Sequence, residues 1–211
     1  MILLELHYLP NLQYFSKLLQ YDQVCIEQWE NYVKRSFRNR CYIASVNGPQ
    51  RLSIPLKKGK NEQQNIREVQ IAYEENWRSH HWTSIRSAYG NAPFFDHYAE
   101  QIQPIFNKQW TFLFDFNSAL LESLCNLIGI DSSKLQRTQQ YDKIPTEPIL
   151  DYRNVIHPKS HLQGEDPHFQ NKKYPQVFEE KTGFLPNLSI LDLLFCTGPQ
   201  TILELEKMIC D

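Results

Sequence analysis

The first 26 residues constrain the fold more than any other stretch. Met1 to Leu6 is almost wholly apolar, and His7-Tyr8-Leu9-Pro10 interrupts it. Leu12, Phe15, Leu18 and Leu19 then recur at helical spacing, and Val24-Cys25-Ile26 is apolar again. That order predicts strand, short loop, helix and strand, the smallest parallel α/β unit, because parallel neighbours need a crossover and a helix supplies it. In such sheets ligands sit beyond the carboxyl ends of the strands, facing helix N-termini. His7, Tyr8 and Pro10 fall at that place.

The remaining pattern extends this unit into one α/β domain spanning 1–211, with a sheet-rich part (1–75) and a helix-rich part (76–211). At 211 residues, the chain can bury a full core. Strands are expected over Cys41–Val46 and Leu52–Leu56 about an Asn47-Gly48 turn, since both turn residues tolerate positive φ. A further strand is expected over Ile66–Tyr73, after a polar loop from Lys57 to Asn65. Trp77, His81, Ile85 and Ala88 then share a helical stripe ending at Gly90. Helices are expected from Pro93 with a break at Pro104, from Phe112 to Ile128, from Tyr174 to Lys181, from Ser189 to Phe195 and from Thr201 to Cys210. The stretch 131–170 is rich in Pro, Asp, Ser and His and holds at most short strands, the composition of a functional loop. The expected architecture is a mixed sheet from the N-terminal half with helices of the C-terminal half packed on it.

Composition narrows the function. A formal charge of −2 provides no basic field for nucleic acid. No apolar run reaches the ~20 residues of a membrane span. The five cysteines are odd in number and lie in apolar stretches without CxxC spacing, and the N-terminus lacks a signal-peptide pattern. Together these features point to a reduced, cytoplasmic protein. No Walker A loop, GxGxxG, GxSxG or kinase signature occurs.

Four groups can carry chemistry. His7 reads as a general base near pH 7, or as a strand-end histidine bonded to a carbonyl, with Tyr8 beside it. Lys34, Arg35, Arg38, Asn39 and Arg40 surround Phe37 without an acid among them, so they read as a small-anion site of the size of a nucleotide diphosphate, or as a solvated loop. Arg153, His157 and Lys159 read as a polar lid facing the same anion. The neighbouring His161, Glu165, Asp166 and His168 offer metal-ligand chemistry without a metal-binding spacing, and no metal is assigned. Ser189 and Asp192 have capping-box spacing; alternatively, Asp192 reaches the cleft and orients His7. In a purely binding protein, Phe37, Trp77 and Tyr174 would stack on the ligand.

Taken together, the motifs resemble the WbqC-like protein family of bacteria, in its Bacteroidetes form. The matching pieces are His7-Tyr8-Leu9-Pro10, Tyr14-Phe15, Asp22, Tyr32 with Lys34 to Arg40, Asn47-Gly48 and Ile54-Pro55. They continue with Trp77 and His81, Tyr89, Ala92-Pro93-Phe94-Phe95, Asn117, Asp151-Tyr152-Arg153 and His157-Pro158-Lys159. The last are Tyr174 to Phe178 and Asn187 to Phe195 with Gly198. Where members commonly read Gln-Pro, this chain reads Leu6-His7. The resemblance implies a role beside surface-polysaccharide (O-antigen) synthesis, with transfer of an amino acid such as glycine onto sugar as one proposed reaction.

The reading that unites these points is a transferase acting on a sugar or nucleotide-sugar intermediate. His7 serves as base, Asp192 as its orienter, and the listed cations with Tyr8 as the substrate site. The alternatives are a non-catalytic carbohydrate- or nucleotide-binding protein and a nucleotidyltransferase-like enzyme. The expected partner is a small molecule, and the residues identify neither a cofactor nor an oligomeric state.

Overall fold

The computed structural model describes residues 1–59, 63–146 and 148–210. The opening unit forms as its pattern dictates. Strand β1 (Ile2–Glu5) leads through the His7 loop into helix α1 (Leu12–Gln20) and back to β2 (Val24–Glu27). The two strands pair in parallel, with Leu4 opposite Ile26 and Glu5 opposite Glu27. Asn11 starts α1 by accepting the Tyr14 N–H at 3.0 Å, which satisfies one of the donors a helix leaves open at its first turn. Leu9, directly before Pro10, takes φ 42°, a left-handed conformation that a branched residue adopts only when its surroundings impose it.

Strand β5 (Leu135–Arg137) joins the outer side of β2, and β6 (Leu150–Asp151) joins the free side of β1, both in parallel. The sheet order is β5-β2-β1-β6. The α/β class is as expected, but half of this sheet's strands come from 131–170 rather than from the N-terminal half. With three and two residues respectively, they are too short for alternation to register in the sequence. The order also has a functional consequence. The chain runs outward from β1 through β2 to β5, then returns to the other side of β1. Strand order therefore reverses at β1, and open parallel sheets bind ligands at such a switch point, beyond the carboxyl ends.

Strands β3 (Arg40–Ile43) and β4 (Gln50–Ser53) make a separate antiparallel pair. Their loop is longer than a two-residue turn: Ser45 and Gly48 exchange backbone hydrogen bonds, with Gly48 at φ 100°. Strand β4 stops short of Pro55, which cannot donate to a ladder. Ile66–Tyr73 is not a strand. Asn65 accepts the Arg67 N–H at 2.9 Å and winds Ile66–Glu68 into a 3-10 turn, leaving only the isolated bridges of Ile71 with Leu56 and Gln70 with Phe112. Of the expected polar loop 57–65, residues 60–62 lie outside the described residues.

Helices α2 (Trp77–Tyr89), α3 (Phe95–Asn107) and α4 (Leu113–Ile128) build the second half, followed by α5 (Glu179–Thr182), α6 (Ile190–Thr197) and α7 (Thr201–Glu206). Pro104 does not break α3: it stands in the last turn, and its carbonyl still accepts the Lys108 N–H at 3.2 Å. Helix α6 ends at Gly198, φ 54°; a Cβ there would lie 2.5 Å from the Phe94 ring. Among the described residues, no helix is long and apolar enough to cross a membrane.

Candidate active site

Strand β1 is buried throughout, and its last residue is a glutamate, with 1% of Glu5 exposed. An isolated carboxylate at such a depth is costly unless it is paired. Its partners come from three later segments. His7 Nε2 stands 3.2 Å and Arg38 Nη1 3.6 Å from Glu5 Oε1, while the Asn154 backbone N–H donates to Oε2 at 3.0 Å. Arg38 is completely buried and forks onto Glu30, Nε to Oε1 at 2.7 Å and Nη2 to Oε2 at 2.6 Å; Nη2 also donates to Asn154 Oδ1 at 3.2 Å. The Tyr14 and Phe37 rings pack beside the imidazole, with centroids 4.7 and 5.3 Å away.

The electrostatics follow from this packing. Burial by itself would raise Glu5, but the Arg38 guanidinium and His7 outweigh it and hold the carboxyl at about 2. Burial pulls His7 below its ordinary value, against the opposing pull of Glu5, so the ring is neutral at pH 7. The His7–Glu5 contact is an electrostatic one, without the alignment of a full hydrogen bond. Both ring nitrogens, the Tyr14 hydroxyl and Arg38 Nη1 lack a hydrogen-bond partner among the described residues. A neutral imidazole with Nε2 held 3.2 Å from a fixed carboxylate and Nδ1 without a partner has the makings of a general base.

One strand away, Glu27 repeats the motif. It is 1% exposed and accepts the Trp29 N–H at 2.7 Å, the Thr138 hydroxyl at 2.9 Å and Arg153 Nη1 at 3.1 Å. Arg153 also clasps Asp151 through Nε (2.9 Å) and Nη2 (2.8 Å). The segment after β6 then runs over the carboxyl end of β1. Asn154, at φ 64°, turns it, and His157 stands at the rim of the cluster, where it feels the charges of Glu5 and Arg38. His157 Nδ1 accepts the Lys159 N–H at 3.1 Å, and burial lowers its pKa. Asp166 fastens this cover to α1 by accepting from buried Lys17 Nζ (2.9 Å), Gln13 Nε2 (2.8 Å) and the Tyr152 hydroxyl (2.9 Å).

His7, Arg38, Arg153 and His157 thus meet at the carboxyl ends of β1, β2 and β6, but the rest of the predicted site does not gather there. Lys34 and Arg35 are exposed, Arg40 is half-buried in β3, and Asn39 donates to the Ile54 carbonyl at 2.9 Å. Lys159 is half-buried and touches His157 through its backbone. Sequence spacing made these cations neighbours, whereas the loop turns Arg38 inward and leaves Lys34 and Arg35 outside. Arg38 and Arg153 are already matched by carboxylates, so neither offers an unpaired charge to an anion. Tyr8 is a core strut rather than a substrate contact. Its hydroxyl donates to His81 Nδ1 at 2.8 Å and its ring stacks on Phe116. His81 donates to the Ser53 carbonyl, and burial pulls its pKa down to about 4.

Asp192 does not orient His7. It is fully buried, and its Oδ2 accepts from the Tyr174 hydroxyl (2.6 Å) and Gln176 Nε2 (2.8 Å). Only half of the capping box forms: Ser189 accepts the Leu191 N–H at 3.4 Å, while Asp192 turns away to Tyr174. Phe37, Trp77 and Tyr174, expected as stacking surfaces, are 8%, 3% and 3% exposed and belong to the core. The spacing reading missed Glu5, Tyr14, Glu27, Glu30 and Lys17, and read Asp166 only as offering metal-ligand chemistry. Glu5 carried a usable signal as the one charge inside an apolar strand. The others meet through contacts between distant segments.

A model of the WbqC-like protein family matches residues 6–169, a span containing His7, Arg38, Arg153 and His157. An uncharacterised protein of Mycobacterium tuberculosis is 27% identical over 220 residues, covering 94% of each chain. No solved structure matches the chain.

Proposed function

The chain belongs to the WbqC-like protein family, and from that premise we propose that it is a cytoplasmic transferase acting on a sugar or nucleotide-sugar intermediate of surface-polysaccharide synthesis. The observation that carries the reading is the neutral His7 imidazole turned to a buried, ionised Glu5 at the switch point of a parallel sheet. His7 takes a proton from the acceptor's hydroxyl or amine. The freed electron pair forms the bond to the transferred group, the donor's bond to its leaving group breaks, and the proton on His7 passes to that leaving group. Glu5 is a positioning residue, and Arg38 keeps it ionised. Transfer of an amino acid such as glycine is one reaction of this form. The cover from Asn154 to Asp166 must open for substrate to enter, since His7 is 1% exposed.

The test uses the purified protein with UDP-glucose, UDP-galactose or UDP-N-acetylglucosamine, with and without ATP and glycine, and mass spectrometry of the products. His7→Gln should lower turnover by about 10²- to 10⁴-fold while cooperative unfolding is retained. Full turnover in that variant ends the proposal. The burial of His7 favours one other reading, a non-catalytic sugar- or nucleotide-binding protein. It predicts that the same UDP-sugars raise the melting temperature of wild type and His7→Gln alike, with no product from either.

A further inference from the structure

We propose that Trp29 and Tyr141 form a stacking platform for a pyranose ring at the mouth of the site, an inference that rests on the sugar-directed reading above. Most aromatic rings of this chain are buried. Among the described residues, the large apolar side chains left exposed include two aromatics, Trp29 at 40% and Tyr141 at 51%. They stand on the loops that leave the carboxyl ends of β2 and β5, on the same edge of the sheet as His7.

Both rings are held rather than loose. The Trp29 backbone N–H donates to Glu27 Oε1 at 2.7 Å, its indole N–H donates to the Thr138 carbonyl at 3.0 Å, and the Arg67 guanidinium lies 4.8 Å from its ring. The Arg153 guanidinium lies 5.0 Å from the Tyr141 ring and is itself fixed to Glu27 and to the Asp142 carbonyl at 2.8 Å. Both aromatics therefore depend on the Glu27 carboxylate, whose residue is the in-register neighbour of Glu5, one strand spacing (~4.8 Å) away. Fixing a large ring while leaving it exposed gains folding little buried area. It is the economy of a recognition surface, where rigid aromatics supply contact at low entropic cost.

The local charge selects the class of ring. Beside the two rings, Glu27 and Asp151 hold the Arg153 guanidinium, and the Arg67 guanidinium lies on Trp29, so carboxylates and cations there are matched in number. No net positive charge gathers there to draw a phosphate, while exposed Asp151 can accept from hydroxyl or ammonium groups. A neutral or amino sugar fits, with the apolar face of the pyranose on the rings.

The test is ligand titration of the intact protein, followed by the Trp29 indole N–H signal in NMR, assigned by its loss in Trp29→Phe. The probes are methyl glucoside, methyl N-acetylglucosaminide and glucosamine, with UMP as the nucleobase arm. At least one sugar should shift that signal, and Trp29→Ala or Tyr141→Ala should weaken its binding about tenfold. If no sugar shifts the signal, if UMP shifts it as strongly, or if both alanine variants bind as wild type, the platform is overturned. His7→Gln separates this result from the reading beneath it. It should bind the sugar unchanged while turnover is lost; unchanged turnover defeats the base and leaves the platform standing, whereas an unmoved indole signal beside lost turnover defeats the platform alone.

Discussion

Two carboxylates are buried equally deeply in this protein and titrate in opposite directions. Glu5, at the end of β1, faces Arg38 and His7 and is held at about 2. Asp192, on α6, is met by neutral donors, Tyr174, Gln176 and Tyr89, and burial raises its pKa above the usual value. The difference lies in the partners, not in depth. Around Glu5 the cation and the imidazole together outweigh the loss of water, whereas the hydroxyl and amide donors at Asp192 only soften it, and burial still raises Glu30 although it is forked onto the same Arg38. The first arrangement can polarise a neighbouring imidazole; the second ties a helix to the chain ahead of it.

Breaking the charged cluster should have the largest effect. Arg38→Ala leaves Glu5 and Glu30 buried without a cation and should cost about 3–5 kcal/mol in urea unfolding. A loss under ~1 kcal/mol would mean that Glu5 does not need its partner. Asp192→Asn should cost less than ~1.5 kcal/mol, because an amide oxygen still accepts from Tyr174. If it proved the costlier of the two, the comparison would reverse.

Acid separates the two sites further. Glu5 has a lowered pKa, so the stability it contributes is present above its ordinary value near 4.5 and is lost as pH falls towards about 2. Asp192 has a raised pKa, so its contribution is present below the ordinary value of 3.8 and is lost as pH rises through its folded pKa. Melting curves of Glu5→Gln should therefore lose acid sensitivity below pH 4.5, whereas Asp192→Asn should leave that range steep. His81 adds a limb nearer neutral pH. Its pKa of about 4 makes the wild type lose stability as pH falls from 6.5 towards 4, and His81→Phe should flatten that limb by up to about 3 kcal/mol.

The opening strand–loop–helix–strand unit was legible because periodicity and one capping asparagine fix it locally. His7 could be placed at a strand end for the same reason. Arg38 was legible as a cation but not as a buried one, since its two acids lie on β1 and on the loop after β2. The pairing of Lys17 with Asp166 was beyond spacing altogether, 149 residues apart. Trp29 and Tyr141 escaped notice because an exposed ring has no periodicity to betray it. What sequence order conveys are local rules, and the candidate site is assembled by contacts that obey none.

Asp166 gathers donors from α1 and from the end of β6 onto one carboxylate, while the exposed turn at Ser160–Leu162 lies between that knot and Asn154. The cover is therefore moored at both ends, and a protease that cut the turn would leave two tethered flaps rather than a released fragment. Such a nicked protein would keep its shape on a sizing column and divide only in denaturant.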